Sequence, residues 1–496
     1  MPSNSRAVQS SSAQADRASA SLSGFAAEYA TYDGLGLAKL IADKRISPLE
    51  LLHAVQRRVE ALNPKLNALC HLFFDKAEVQ IAQCPPEAPF RGVPFVLKDL
   101  GQYLTGTITS AGSRVWANNV ADFDSTLVKR YKQAGLIIFG KTTSPELGIT
   151  TTAESILFGE TRNPWNLGRT SGGSSGGAAA VVASRIVPMA HGSDGGGSIR
   201  IPASCCGVFG FKPTRGRVPL GPIQFEAWNG CLHHHALTIS VRDSAALLDI
   251  SSGAELGSPY FSPRPERPFI NEVGADPGQL RIALVKAPPN GAPLDPECKR
   301  AAVDTGKLCE TLGHRVEEAT LPIDNRVLSD AFVTVVQVSV ARVLDDAAIK
   351  RGRPLDERDV EPVTWAMMHA GTKVTSVAYS RAIAVIHQMG LAMAKFHQSY
   401  DVILSPTLAK PPVPLGILCL SQPTVSWWKE ITEFSPYTAL YNASGQPSMS
   451  VPLHWTPDGL PVGVLFSSRF GEDATLIRLA AQLESAQPWA ERMPPM

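Results

Sequence analysis

The stretch GGSSGGAAAVVASRIVPMAHGSDGGGSIRIP, residues 172–202, constrains this chain more than any other. It places glycine at 172, 173, 176 and 177 and again at 192 and 195–197, with serines at the hinge of each cluster. Glycine loses more conformational freedom on folding than any other residue, so this density calls for a compensating use. Four uses are open. A phosphate cradle is one, but GxxxxGK[ST] is absent and no GxGxxG follows a strand. Gly172-Gly173-Ser174-Ser175-Gly176 also satisfies the GxSxG nucleophile elbow, although NPWNLGRTS before it is polar and turn-forming, and His454, the one plausible late histidine, has no evident acidic partner. The glycines could instead serve tight turns and close packing, with the serines as caps. The fourth use joins the block to Lys98.

The rest of the chain narrows the setting. Its 496 residues suffice for two or three ordinary domains, though large α/β enzymes of this length often close around one sheet. Apolar residues at 44% and charged residues at 18% describe a globular chain with an ample core, not a disordered or fibrous one. The formal charge is +1 and no Lys/Arg cluster stands out, which argues against a nucleic-acid stripe or a polybasic membrane patch and for a small-molecule substrate. Eight irregularly spaced cysteines with no CxxC pair read as reduced, buried thiols. Residues 1–24, rich in Ser and Ala, lack a signal-peptide apolar region and read as a mobile tail. No run elsewhere reaches the ~18 apolar residues of a membrane span, so a cytoplasmic location is expected.

Helical and strand patterns alternate. Ser47-Pro48-Leu49-Glu50 combines an N-cap, a proline at the first helical position and a capping-box Glu, ahead of Leu51, Val55, Val59 and Leu62; this helix is expected to stop before Pro64. GVPFVLKDL at 92–100 suits a buried strand carrying Lys98 at its tip, and Asp124 is expected to cap a helix that ends at Gly135, before strand LIIFGKT at 136–142. Buried runs recur at LRIALVKA, DVILSPT, SMSVPLHW and VGVLFSSRF, with DATLIRLAAQLE helical after them. The pattern predicts an α/β fold, helices on both faces of a large mixed, mostly parallel sheet. Residues 320–400 read as helical and 406–436 as irregular.

Lys98 supplies what a serine nucleophile lacks. A hydroxyl attacks only if a base takes its proton, and amide hydrolysis also needs a donor for the leaving nitrogen. A neutral lysine can begin that relay if a second hydroxyl bridges the gap: Ser198 attacks, Ser174 shuttles protons, Lys98 is the base, and backbone N–H groups of Gly195, Gly196, Gly197 and Ser198 face the developing oxyanion. Each oxyanion donor is worth about 3 to 4 kcal/mol in the transition state. Lowering a lysine from about 10.4 to 7–8 takes roughly 4 kcal/mol of desolvation, which a buried strand end can supply.

Lys98 on GVPFVLKD, GGSSGG at 172–177, GSDGGGSIRIPASCCGVFGFKPTRGRV at 192–218 and NASGQPSMSVP at 442–452 resemble the amidase signature family over about residues 30–490. The resemblance implies an α/β/α sandwich with about eleven strands and a Ser-cisSer-Lys triad, matched here by Ser198, Ser174 and Lys98. It further implies that Ser175 helps orient the lysine, that Arg200 packs beneath the active loop and that Asp194 holds that loop. Where family members often have D-[IVLT]-GGS this chain has D-GGGS, and the added Gly195 is expected to loosen the loop. A single domain over residues 25–496 follows, with a helical N-terminal part, a catalytic core at about 90–320 and a helical and irregular substrate side at about 320–440. Cys205 and Cys206 read as core thiols.

The expected reaction is hydrolysis of a linear, aryl or cyclic carboxylic amide through a serine acyl-enzyme, with no cofactor and no metal. Within the family, TRNPWNLGRTSGGSSGG, LDPEC and NASGQPSMSVP resemble the 6-aminohexanoate cyclic-dimer hydrolases of nylon-oligomer metabolism. Urethanase (carbamate) or ester hydrolysis on the same triad is the alternative; an amidotransferase subunit is a further one. Partners are expected to be a small amide or carbamate substrate, with no nucleic acid or membrane, and a homodimer stays open. His233–His235 leaves three readings: a metal site, a cleft-lining segment, or a plain loop. His191 reads as structural. Trp228, Trp427, Trp428, Phe434 and Tyr437 together suggest an apolar or aromatic substrate side.

Overall fold

A computed structural model describes residues 28–496, so the tail expected at 1–24 lies outside the described residues. Eleven strands form two sheets: β1 (Leu69–Leu72), β2 (Pro94–Lys98), β3 (Ile137–Thr142), β4 (Met189–Asp194), β5 (Phe209–Lys212), β6 (His233–Thr238), β7 (Arg281–Leu284), β8 (Arg315–Glu318), β9 (Val402–Pro406), β10 (Ser448–Trp455) and β11 (Pro461–Ser468). Their orders are β1-β3-β2 and β8-β7-β9-β11-β10-β5-β6-β4. The two sheets meet where β2 lies beside β4.

The larger sheet is mixed but not mostly parallel. Only β7–β8 and β7–β9 run parallel in it; its other ladders are antiparallel. Unbroken apolar runs suggest parallel strands. Here they arise because helices cover both faces, while Thr456–Leu460 joins β10 to β11 through a tight turn that forces antiparallel pairing. Period-2 alternation sorts the strand residues into two cores. Ile282, Val402, Leu404 and Phe466 face one with Cys298, Leu476 and Leu479. Ala283, Ile403 and Leu465 face the other with Leu328, Val335, Ile386 and Met393. The result is an α/β/α sandwich.

The helices that matter below are α1 (Pro48–Leu66), α2 (Thr126–Gln133), α3 (Gly176–Ala183), α4 (Arg200–Cys206), α5 (Asn325–Arg351) and α6 (Thr424–Phe434). In α1 the capping box is present, Glu50 N–H donating to Ser47 Oγ and Ser47 N–H to Glu50 Oε2. The helix runs past Pro64 to Leu66 rather than stopping before it. The carbonyl that Pro64 leaves without a donor is that of exposed Glu60, where water can serve it, and burying Leu66 favours the extra turn. Ser125, not Asp124, is the N-cap of α2; the Asp124 carboxylate is taken by Thr105 and Lys132.

Residues 320–400 are largely helical, and 406–436 include α6, so that stretch is less irregular than expected. By length and composition α5 is apolar enough to cross a membrane, contrary to the expectation that no run reaches that length. Its apolar residues Val335, Val336, Val340 and Leu344 are buried in the protein's own cores.

Candidate active site

Lys98 ends β2 with its side chain wholly buried. Its Nζ lies 2.7 Å from Ser174 Oγ and 3.0 Å from Ser193 Oγ. Burial pulls the amine down to about 7, against the opposing pull of the Asp194 carboxylate. The lysine is therefore largely a free base in mildly alkaline water, as a proton acceptor must be. Ser174 follows a cis peptide from Gly173 and stands just before α3.

Ser193 was missed in the sequence, although the signal was there. In a strand, residues two apart share a face, so His191 and Ser193 of β4 both point at β2. His191 Nδ1 accepts from the Lys98 N–H at 3.2 Å, and Ser193 meets the amine. Ser175 acts one step further back. Its Oγ donates to the Ser193 carbonyl and accepts from the Ser193 N–H, at 3.1 and 3.2 Å, so it touches Ser193 rather than the lysine.

Ser198 lies in the turn between β4 and α4 and is partly exposed. Its carbonyl accepts from Ser175 N–H at 3.2 Å, and it lines with Ser174, Ser193 and Gly195 a cavity of about 220 Å³. The turn is held from beneath by a buried ion pair. Asp194 Oδ1 accepts from Arg200 Nη2 at 2.8 Å, Asn442 Nδ2 at 2.8 Å and Gly197 N–H at 2.7 Å; Oδ2 accepts from Arg200 Nε and Ile199 N–H, both at 3.0 Å. Burial opposes the Asp194 charge, but the Arg200 guanidinium and these donors override it and hold the carboxyl well below the usual range. Arg200 reaches on to Thr438 O, Ser448 Oγ and Asn442 Oδ1. Asn442 and Ser448 explain the structural side of NASGQPSMSVP.

One expectation about the loop changes. The Gly197 N–H is bound to Asp194 and is withdrawn from the oxyanion set, which leaves Gly195, Gly196 and Ser198 as the candidate donors. Gly197 instead supplies a backbone bend at φ +137°, beside Thr438, whose hydroxyl donates to the Gly196 carbonyl at 2.6 Å. Gly195 has a packing reason as well: a Cβ there would lie 2.6 Å from the Trp228 indole, so glycine lets the ring pack onto it.

The cavity wall is mainly apolar, from Leu100, Trp116, Leu147, Ile149 and Trp228, with Tyr103, Asn119 and His234 among its polar groups. Of the five aromatics singled out, Trp228 alone lines it. Trp427, Phe434 and Tyr437 are core residues, and Trp428 packs against Trp427. His233–His235 form part of β6, in register with Asp194, Ser193 and Gly192, so the loop reading fails. The cleft-lining reading holds for His234, and alternation turns neighbouring rings to opposite faces, against a shared metal. His454 does have an acidic neighbour, Glu297 at 3.0 Å, but it does not line the cavity with Ser174, which removes the elbow's histidine.

Cys205 and Cys206 are buried free thiols, raised by burial. Cys70, His71 and Asp99 bring potential ligand atoms within 4.8 Å of one another. The Asp99 carboxylate there is already engaged by Ser110 N–H and Oγ and faces the Lys141 amine, a poor setting for a cation.

Residues 50–477 match the Amidase family. The chain is 37% identical over 477 residues to the 6-aminohexanoate-cyclic-dimer hydrolase of Paenarthrobacter ureafaciens, covering 93% of this chain and 96% of that one. It is 34% identical over 467 residues to the acylamidase of Rhodococcus erythropolis, covering 92% and 96%. The solved structure of a 6-aminohexanoate cyclic dimer hydrolase with its substrate superimposes with a TM-score of 0.89 at 35% identity, over 94% of this chain and 99% of that one. The chain belongs to the amidase signature family and is a hydrolase of amide bonds.

Proposed function

We propose that the enzyme cleaves a small carboxylic amide through an acyl-enzyme on Ser198. The observation that carries this reading is the 2.7 Å approach of a buried Lys98 amine to Ser174 Oγ, at the wall of the cavity that Ser198 also lines. The free amine takes the Ser174 proton as Ser174 takes that of Ser198, and Ser198 Oγ forms a bond to the amide carbonyl carbon. The oxygen's developing charge is met by the N–H groups of Gly195 and Gly196, with that of Ser198 itself. When the C–N bond breaks, Ser174 returns a proton to the departing nitrogen and is reprotonated by Lys98. Water repeats the sequence on the ester, releasing the acid and restoring Ser198.

The apolar wall, with Trp116 and Trp228, supports an aliphatic or aryl acyl chain over a charged one. The similarity to hydrolases named for 6-aminohexanoate cyclic dimer and for acylamides supports cyclic oligoamides and anilides as the first substrates to try. The test is a panel of short aliphatic amides, anilides, cyclic oligoamides, esters and dicarbamates read by mass spectrometry, with the acylated peptide trapped at low pH. Acyl mass on the Ser198 peptide is the expected result; acylation elsewhere, or turnover unaffected by Ser198→Ala, sinks the reading. Preference for carbamates in the panel would make the enzyme a urethanase on the same groups.

A further inference from the structure

We propose that His191 and His234 are positioning residues for Lys98: two imidazoles, each held in one tautomer, close a hydrogen-bonded ring around the Lys98–Gln102 turn and keep the amine against Ser174. The proposal rests on Lys98 acting as the base.

The need for such a ring comes from the sheet. β2 pairs with β3 on one edge, and on the other it meets β4 with no ladder between them. The Lys98 N–H, buried at that seam, would be left without a partner, which destabilises a fold by about 1–3 kcal/mol. His191 Nδ1 accepts it at 3.2 Å. A ring nitrogen that accepts carries no proton, so neutral His191 has its proton on Nε2. Nε2 lies 3.0 Å from His234 Nδ1, which must then accept, and the His234 proton is in turn fixed on Nε2. His234 Nε2 lies 3.4 Å from Gln102 Nε2. In the structure Gln102 Oε1 accepts from the Ser125 hydroxyl at 2.5 Å and Gln102 Nε2 faces His234, so this last link closes when the amide turns its oxygen toward His234, an orientation that fills the same space.

Gln102 is four residues beyond Lys98, so the chain of bonds returns to the segment where it began. Gly101, inside the ring, packs directly on His234: a Cβ there would lie 3.3 Å from its Cε1. The two imidazoles stack at 5.1 Å with their planes 20° apart.

A second proton on either imidazole would turn an acceptor into a donor and open the ring. Burial opposes this first. Lys98 and Lys141, cations when charged, and His235 on the adjacent position of β6 act in the same direction, while Tyr131 of α2, which meets the His191 ring edge-on, is a neutral phenol and adds no charge. His234 is pushed down to about 3 and His191 well below its ordinary value. The ring thus stays intact wherever Lys98 is a free base. Its effect on rate follows from distance, since misplacing a catalytic group by about 1 Å costs on the order of 100-fold.

The test combines ¹⁵N-histidine NMR of the whole protein with kinetics of His191→Leu, His191→Asn and His234→Leu, the variants also assigning the two signals. Both rings are expected as Nε2–H tautomers, unprotonated down to pH 5. His191→Leu should lower kcat by about 10- to 100-fold with KM little changed. His191→Asn, which can both accept and donate, should recover most of that loss. An Nδ1–H tautomer on either ring, protonation of either above pH 6, or equal losses in the Asn and Leu variants overturns the proposal. Should His191→Leu fail to fold, the wild-type tautomers and the His234→Leu kinetics still decide. Lys98→Met, assayed alongside, separates the two readings: retained turnover there refutes the base assignment while leaving the tautomer pattern standing.

Discussion

Lys98 Nζ is held 3.0 Å from Ser193 Oγ, on the strand that leads into the Ser198 turn. A neutral amine has two N–H donors and one lone pair. With one N–H given to Ser193, the lone pair is free to face Ser174. Ser193→Ala should therefore lower kcat about tenfold, the worth of one hydrogen bond of 1–1.5 kcal/mol, and leave KM near its original value. Steady-state kinetics on any panel substrate checks this; an unchanged kcat would deny Ser193 its role.

Ser198→Ala should remove turnover of amide, ester and carbamate together, by at least about 10⁴-fold, while the far-ultraviolet spectrum and Tm stay close to those of the parent. Ser174→Ala should cost nearly as much for amides and less for activated esters, whose leaving groups depart without a proton. Equal losses on both substrates would argue against proton delivery by Ser174.

The pH dependence follows from the lowered Lys98 value. As base, Lys98 must be deprotonated, so kcat/KM should rise with pH through about 7 and level off above about 8. A profile flat from pH 5 to 9 is incompatible with this base. For stability the sign is the same: the folded state binds fewer protons than the unfolded chain between about 7 and the lysine's ordinary value, so this group's destabilisation eases as pH rises across that window.

Asp194→Asn should cost about 3–5 kcal/mol of unfolding free energy, because Arg200 would keep a buried charge without its counter-ion. Urea titration measures it. The Asp194 carboxyl is depressed in the folded state, so its stabilisation is present above the ordinary carboxylate value and is lost only as pH falls through the lower folded one. No loss from this group is expected between pH 5 and 8.

Trp228→Ala should widen the cavity where the indole packs on Gly195. The ratio of kcat/KM for a bulky acyl group over a small one should rise by about tenfold, within the range that pocket shape can discriminate. An unchanged ratio would place the acyl group elsewhere.

Much of this was legible in order along the chain. The Ser47–Glu50 capping box, the Lys98 strand and the turn before α4 depend on neighbours in sequence, and local rules govern neighbours. Strand direction was not legible, because covering both faces of a sheet makes antiparallel strands look as apolar as parallel ones. Nor was the Pro64 passage, which turned on exposure of Glu60, nor the fate of the Gly197 N–H, which turned on where the Asp194 carboxylate points.

The amino-acid order by itself determined which groups are present: a lysine closing an apolar strand, serines flanked by glycine, and an aspartate six residues ahead of an arginine. Only the tertiary structure decided which of them touch. It set Ser193 between Ser175 and the lysine, turned His191 and His234 toward the seam between the sheets, and brought Asn442 under the Asp194 turn. The physical reason is that hydrogen bonds and desolvation act over a few ångströms of space, and residues 98, 193, 234 and 442 become neighbours only when the sheets assemble.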